Sequence, residues 1–193
     1  MSEIKVDKIS PQSGTALAVG DSGDTITIPS GATITNSGTA NGFGVGKILQ
    51  VVNSTSTAVA TTTTTTPFDD TIPQSGEGGE FLTQAITPDH ASNKLLITFN
   101  GFTTVNPTAW MTIALFQDST AGALAATTEL RYGNTWGGGS TLIHYMAAGT
   151  TSSTTFKIRI GLTSGTVTLN GQSGGRLFGG VCSSSLTIME IEV

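Results

Sequence analysis

The sequence predicts an all-β protein in which a thin N-terminal segment precedes an antiparallel β-sandwich. Strand-forming stretches recur about eight times after Lys47, and turn residues separate them at intervals of about 8–12 residues. No segment shows the 3.6-residue apolar spacing of an amphipathic helix. About eight short strands spaced in this way are typical of a β-sandwich or jelly roll. We therefore expect two parts, residues 1–45 and residues 46–193, with the jelly roll in the second.

The composition favours a folded chain with a polar, weakly charged surface. Of the 193 residues, 11% are charged and 37% are hydrophobic, with a formal net charge of −5. Disorder needs a higher net charge with less hydrophobicity. The eight Lys and Arg residues are scattered. Because phosphate binding needs a basic patch, we expect no nucleic-acid partner.

The compartment is predicted from cysteine content and from the start of the chain. Cys182 is the single cysteine, so no disulfide can form within the chain, as suits a reducing cytoplasm. The opening MSEIKVDKIS carries acidic residues and no apolar core, so we expect no signal peptide. No run of about 18 apolar residues exists, so we expect no membrane insertion.

The N-terminal segment repeats a Ser-Gly pair before each short strand-like piece. The pairs predict turns and the Thr-Ile alternation predicts half-buried strands. Burying an Ile contributes roughly 1.5–3 kcal/mol, whereas ordering each residue costs about 1–2 kcal/mol. The few apolar side chains cannot offset this cost in one chain. We expect the segment to order by intertwining with identical copies, with a flexible tail as the alternative; the residues expected to meet their copies are Ile26, Ile28 and Ile34.

Two predicted strands are apolar on both faces. In Trp110–Gln117, Met111, Ile113 and Leu115 share one face, and Phe116 lies on the other with Trp110. A second apolar face needs a partner, and a subunit interface is the simplest one. For the last strand, Ser185–Val193, a bulge that switches the phase is an equal alternative. The interface candidates are Trp110, Phe116, Leu186 and Ile188.

One predicted loop, RYGNTWGGGS at Arg131–Ser140, suggests ligand recognition. It places Tyr132, Asn134 and Trp136 beside three glycines. Aromatic faces with nearby amides suit sugar rings, and loops on rigid sandwiches commonly carry recognition. The alternative is that Trp136 folds back onto the sandwich or seals a junction between copies.

Catalytic and metal-binding signatures are weak. His90 and His144 are the only histidines, and no nucleophile motif accompanies them. One Cys and two His in no ligand spacing predict no zinc site. The acidic pairs Asp69-Asp70 and Glu77…Glu80 are interpreted as solvated loop residues. We expect no enzyme activity, no metal and no cofactor.

Several stretches resemble structural proteins of tailed bacteriophages, especially marine ones. The opening as far as Gly44 resembles the start of many such proteins, and four later blocks resemble a domain found repeatedly at the C-terminal end of phage tail fibres: Lys47–Val52 (KILQVV), Ile86–Ile97 (ITPDHASNKLLI), Thr151–Ile158 (TSSTTFKI) and Ser184–Ile191 (SSLTIMEI). These domains are similar to the trimeric jelly rolls of the complement and tumour-necrosis-factor type.

The resemblance implies a homotrimer located in the virion and made in the host cytoplasm. Its N-terminal stem would attach to other virion proteins of the tail or capsid, and its C-terminal knob would bind a host-surface glycan or protein. The chain lacks a long shaft, which leaves a capsid decoration protein, or head fibre, as the alternative function.

Overall fold

The computed structural model describes residues 9–11, 13–33, 35, 46–133 and 136–193. Two of the candidate residues, Ile34 and Asn134, lie outside these ranges. The chain divides into two units, Met1–Phe43 and Gly44–Val193.

In the N-terminal unit, two of the Ser-Gly pairs form the predicted turns and a third, Ser13-Gly14, forms a bend. Gly14, Gly23 and Gly31 have φ angles of 77°, 97° and 86°, a region that suits glycine because it has no side chain. The turn at Gly23 is closed by a 3.0 Å hydrogen bond from the Asp24 amide to the Asp21 carbonyl. The turn prediction is therefore confirmed at Gly23 and Gly31.

The short strands predicted between those turns do not form in the single chain. The described residues between 9 and 35 contain no strand, and the side chains of Ile26 and Ile28 are 62% and 45% exposed. A strand exists only with a hydrogen-bonded neighbour, and one chain supplies none here. Pairing with other copies stays a prediction.

The second unit contains two antiparallel sheets. The six-stranded sheet consists of β1 (Ile48–Ser56), β2 (Ala60–Thr62), β4 (Lys94–Asn106), β7 (Gly137–Ala147), β9 (Thr166–Leu169) and β12 (Ser184–Ile191). Its strand order is β1-β12-β4-β9-β2, and β7 pairs with the other edge of β4. The four-stranded sheet has the order β3-β8-β5-β6, formed by β3 (Gly79–Ile86), β8 (Thr154–Leu162), β5 (Ala109–Gln117) and β6 (Ala125–Arg131).

The length of β4 explains the shape of the six-stranded sheet. Its first half pairs with β12 and its last four residues pair with β9, both along the same edge, while β7 occupies the other edge. A small hairpin of β10 (Gly171–Gln172) and β11 (Gly175–Arg176) and a 3-10 turn at Phe178–Gly180 lie between β9 and β12.

The connectivity is that of a jelly roll. The eight longest strands are β1, β3, β4, β5, β6, β7, β8 and β12, and we count them from one to eight along the chain. In this count, strands 1, 8, 3 and 6 are neighbours in one sheet, and strands 2, 7, 4 and 5 are neighbours in the other. This is the double Greek-key order of jelly rolls. The predicted fold class, an antiparallel all-β jelly-roll sandwich, is thus confirmed.

The core fills the space between the inner faces of the two sheets. The predicted inward residues of β8, from Phe156 to Leu162, are all buried there, and so are Met111, Ile113 and Leu115 of β5. From the six-stranded sheet, Leu95, Ile97 and Phe99 of β4 complete the core.

Leu186 and Ile188 are core residues, so their assignment to a subunit interface is wrong. They pair with Phe99 and Ile97 of β4, and both are fully buried between the sheets. The strand does alternate as expected, but the face that points outward carries Met189 instead. Sequence alternation separates the two faces without saying which one faces the core.

Phe116 also cannot form a subunit interface, because the chain itself covers it. Phe116 and Trp110 point away from the core, where the connection between β2 and β3, which we call the strap loop (residues 63–78), crosses the four-stranded sheet. The Phe68 ring stacks on Trp110 with centroids 4.5 Å apart and an interplanar angle of 5°. Phe116 is buried, and Trp110 remains 37% exposed. The second apolar face of β5 thus has an intrachain partner.

Two contacts fasten the strap loop to the sheet. The Thr66 amide donates a 2.9 Å hydrogen bond to the Leu162 carbonyl, and the Arg159 guanidinium donates to the carbonyls of Glu77 and Gly78 at 3.0 and 2.8 Å. A Cβ on Gly161 would collide with the Thr66 hydroxyl. The loop therefore lies in direct contact with the backbone of β8.

A buried carboxylate closes one end of the sandwich. Glu190 on β12 points inward and accepts hydrogen bonds from the backbone amides of Asp89 and His90, the side-chain amide of Asn93 and the Gln50 amide. Burial by itself would raise the pKa of Glu190, but these hydrogen bonds outweigh it and the pKa lies below its ordinary value of 4.5. The β3–β4 connection is held to β1 and β12 in this way.

Candidate binding surfaces of the sandwich

The predicted recognition loop joins β6 to β7 and presents two exposed aromatic rings. Tyr132 is 62% exposed and Trp136 is 71% exposed. Trp136 therefore does not fold back onto its own sandwich, which removes one of the alternatives for this residue. A role in binding or in a contact between copies remains for it.

The base of this loop is held by a partly buried ionic network. Arg131 donates to Glu129 at 2.6 Å and to the Ser140 hydroxyl at 2.8 Å, and Ser140 donates to Glu129 at 2.9 Å. Ser140 also lies 3.0 Å from the Thr103 hydroxyl on β4. The network joins the two sheets at their β6 and β7 edges, so the loop starts and ends on a rigid base.

The glycines of the loop allow this close approach. The Arg131 guanidinium occupies the position that a Cβ on Gly138 would take, whereas a Cβ on Gly139 would meet nothing within 4 Å. At the other end, the Gly133 amide donates a 2.9 Å hydrogen bond to Thr108, which ties the loop to the β4–β5 connection. Gly138 is thus needed because the Arg131 side chain packs against it, whereas a side chain could be accommodated at Gly139.

A second feature, missed from the sequence, is a cleft of about 360 Å³ on the outer face of the six-stranded sheet. Its floor is formed by β2, β9 and the end of β4, and its wall is the β10–β11 hairpin. Hydroxyl and amide side chains dominate its lining, which consists of Thr61, Thr104, Val105, Asn106, Thr166, Thr168, Gln172, Ser173 and Gly174. No charged residue contributes to it.

The wall of this cleft is held by three polar contacts. The Thr104 hydroxyl donates a 2.9 Å hydrogen bond to the Gly171 carbonyl at the start of the hairpin. Just before it, the buried Asn170 amide donates to the Ser56 and Ala58 carbonyls at 2.9 and 3.2 Å. Isolated Thr residues in a sequence carry no signal for such a cleft, because the hairpin that forms its wall is placed by tertiary contacts.

Strand register places the cleft beside the aromatic loop. Thr104 pairs with Thr168 on one side and with Gly137 on the other, and Trp136 immediately precedes Gly137. Neighbouring strands are about 4.8 Å apart. The hydroxyl-lined cleft and the exposed indole therefore share the same end of β4.

A third surface is an apolar row across the other half of the same outer face. Pairing aligns Val51 of β1 with Met189 of β12, Leu96 of β4 and Tyr145 of β7. Val51 is 53% exposed, Tyr145 is also exposed, and the exposed Ile143 lies beside the row. Large contiguous apolar patches on a protein surface often mark interaction sites.

His90 and Asp69 each make a hydrogen bond within their own turn or loop. The His90 ring lies 2.8 Å from the Ser92 hydroxyl in a local turn, and Asp69 accepts hydrogen bonds from Thr71 within the strap loop. Across residues 9–11, 13–33, 35, 46–133 and 136–193, no group of three or more His, Cys, Asp or Glu is placed to hold a metal ion. No helix in that part of the chain has the length and hydropathy needed to cross a bilayer.

Comparisons with known proteins give only distant similarities. No family model matches the chain, and no curated protein matches it. Solved structures that align with part of the chain include the enzymatically active domain of tailspike protein 4 of bacteriophage CBA120 (14% identity, TM-score 0.29, covering 62% of this chain and 18% of that chain). A CBM4 structure has 11% identity and a TM-score of 0.32, covering 61% of this chain and 87% of that chain.

A third structure, from the Gx strain of infectious bursal disease virus, has 11% identity and a TM-score of 0.36, covering 75% of this chain and 36% of that chain. Two of the three thus come from a bacteriophage and a virus. The chain spans less than a fifth of the tailspike domain and about a third of the viral chain.

Proposed function

We propose that the chain is a structural protein of a bacteriophage virion, a short homotrimeric fibre whose N-terminal segment attaches to the particle and whose jelly roll binds the host surface. Two independent features support this. The sequence blocks described above resemble phage fibre proteins, and the chain exposes a row of apolar side chains aligned across one face of the six-stranded sheet.

The apolar row is the observation that carries the proposed assembly. Val51 and Tyr145 are exposed at opposite ends of a row that crosses four strands. β1, which contributes Val51, is the first strand of the sandwich along the chain. The proposed occupant of this apolar face is a second copy of the chain. Burial of these side chains would stabilise the assembly by the transfer of apolar area from water.

Host binding in this proposal is recognition without turnover. The exposed Tyr132 and Trp136 are held on a rigid base at one end of the sandwich. Three linked copies would bind a surface with much higher avidity than one, because the second and third contacts form at high effective concentration.

Light scattering on the purified full-length protein tests the assembly. We expect a mass three times the 19.7 kDa of one chain. Val51→Asp should dissociate the trimer or lower its unfolding temperature by several degrees. The matched control is Ile72→Asp, since Ile72 is 63% exposed on the strap loop, away from the row. A well-folded monomer would overturn the proposal, and equal behaviour of the two variants would remove the row from the interface.

Cryo-electron microscopy of the intact particle separates a fibre from a decoration protein. A density that projects from the tail or from isolated points on the head supports a fibre. A regular array over the head lattice, with the apolar row against capsid subunits, would instead show that the chain is a capsid decoration protein.

A further inference from the structure

We propose that the hydroxyl-lined cleft between β2, β9, β4 and the β10–β11 hairpin binds an uncharged saccharide. This inference rests on the proposed function, since the saccharide would be the host-surface component that the jelly roll recognises. It assigns a ligand class to the host-binding role, and it places the main binding site in the cleft instead of on the aromatic loop.

The chemistry of the lining selects an uncharged, hydroxyl-rich ligand. Threonine and serine hydroxyls both donate and accept hydrogen bonds, and the Asn106 amide does the same through separate atoms. Sugar hydroxyls present the same mixed donor and acceptor pattern. A phosphate, sulfate or carboxylate would need a cationic partner when it loses water, and the lining contains none.

Several of these groups are available because the fold does not use them. The side chains of Thr61, Thr166, Thr168 and Asn106 make no hydrogen bond within the described part of the chain. The Thr104 hydroxyl, in contrast, donates a hydrogen bond to the Gly171 carbonyl of the hairpin. Thr168 is almost completely buried, yet it faces the cleft. Hydroxyls that line a cleft can exchange bound water for the hydroxyls of a ligand.

The cleft is preformed. Thr168 pairs with Thr61 on one side and with Thr104 on the other, so the backbone of three strands fixes the floor. The wall is fastened through Gly171 and Asn170. A rigid site reduces the conformational entropy lost on binding.

The volume and surroundings indicate how much of a glycan enters. Ligand clefts range over roughly 300–1,000 Å³, so 360 Å³ holds a short part of a chain. The remainder would extend across the end of β4, where Trp136 is exposed and offers a ring face for stacking. The cleft thus provides hydrogen bonding, and the indole provides apolar contact.

The test uses the full-length protein on an array that contains neutral oligosaccharides of hexoses and N-acetylhexosamines together with sialylated and sulfated ones. We expect binding to neutral members only. Thr168→Val removes the hydroxyl and keeps the side-chain shape, and we expect it to weaken binding about tenfold, which corresponds to about 1.4 kcal/mol. Thr61→Val serves as a second variant at an exposed position, in case the buried substitution affects folding.

The matched control is Thr98→Val, on the outer face of the same sheet but outside the cleft. It should bind like the wild type. Binding to acidic members only, binding to none, or equal binding by the Thr61, Thr168 and Thr98 variants would overturn the proposal. Trimer formation is measured on the same samples. A trimer that binds no saccharide would overturn the saccharide site and leave the proposed fibre standing. A monomer that binds saccharide would overturn the trimeric fibre and leave the saccharide site standing.

Discussion

The side-chain amide of Asn93 donates a 2.6 Å hydrogen bond to the buried carboxylate of Glu190, across 97 residues of sequence. Gln50 donates to the other carboxylate oxygen, also at 2.6 Å. These residues belong to the blocks ITPDHASNKLLI, SSLTIMEI and KILQVV, which carry the resemblance to phage fibre domains. In this chain the three blocks thus meet at one buried carboxylate, where they support the fold.

Replacing Glu190 with Gln should destabilise the sandwich by about 1.5–3 kcal/mol, the usual range for a hydrogen bond to a charged group. The new amide would point a donor at the donors of Asn93 and of the Asp89 and His90 backbone. Denaturant unfolding measures the loss. The control is Glu192→Gln, an exposed carboxylate two residues along the chain, which should change stability little.

The same variant should remove part of the acid sensitivity. Because the pKa of Glu190 lies below 4.5, the carboxylate contributes its full stability above that pH and loses it as the pH falls through the lowered value. The difference in unfolding free energy between wild type and Glu190→Gln should therefore be constant above pH 4.5 and narrow below it. A difference that grows on acidification would show that the carboxylate does not stabilise the fold in this way.

Removing the Phe68 ring should loosen the strap loop while leaving the core folded. The stack on Trp110 is the aromatic contact that covers this face of β5. Phe68→Ala, made in a Trp136→Phe background so that Trp110 is the single tryptophan, should shift indole fluorescence to longer wavelength and speed proteolysis within residues 63–78. Unchanged fluorescence and cleavage would mean that the hydrogen bonds of Thr66 and Arg159 hold the loop unaided.

Adding a methyl group at Gly138 should destabilise the protein, whereas adding one at Gly139 should not. A Cβ at Gly138 would occupy the place of the Arg131 guanidinium, and one at Gly139 meets open space. Overpacking of this kind costs about 1–3 kcal/mol. Thermal unfolding of Gly138→Ala and Gly139→Ala provides the comparison between adjacent residues; equal melting temperatures would argue that Arg131 moves aside without cost.

Loss of the Trp136 indole should reduce adsorption of the protein to host cells without changing its oligomeric state. Trp136→Ala is compared with Phe178→Ala, which removes an aromatic ring of similar exposure from the turn between β11 and β12. If both variants adsorb like the wild type while remaining trimeric, the loop has no part in recognition.

Local chemistry is what made much of the fold predictable. The alternation in Phe156–Leu162 identified the inward residues of β8, and the Ser-Gly pairs identified turns, because both depend on neighbouring residues alone. The cleft was not predictable in this way. Its floor comes from β2, β4 and β9, and its wall from a hairpin that Asn170 fastens to residues more than 100 positions away.

By itself, the sequence determined the all-β class, the turns and the two-faced character of β5 and β12, because strand periodicity and turn residues are local properties. Only the tertiary structure decided which face of β12 packs inward, that the strap loop covers Phe116 and Trp110, and that Glu190 is buried among donors. Those outcomes depend on which strands pair and on where a loop returns, and such contacts join residues far apart in the chain.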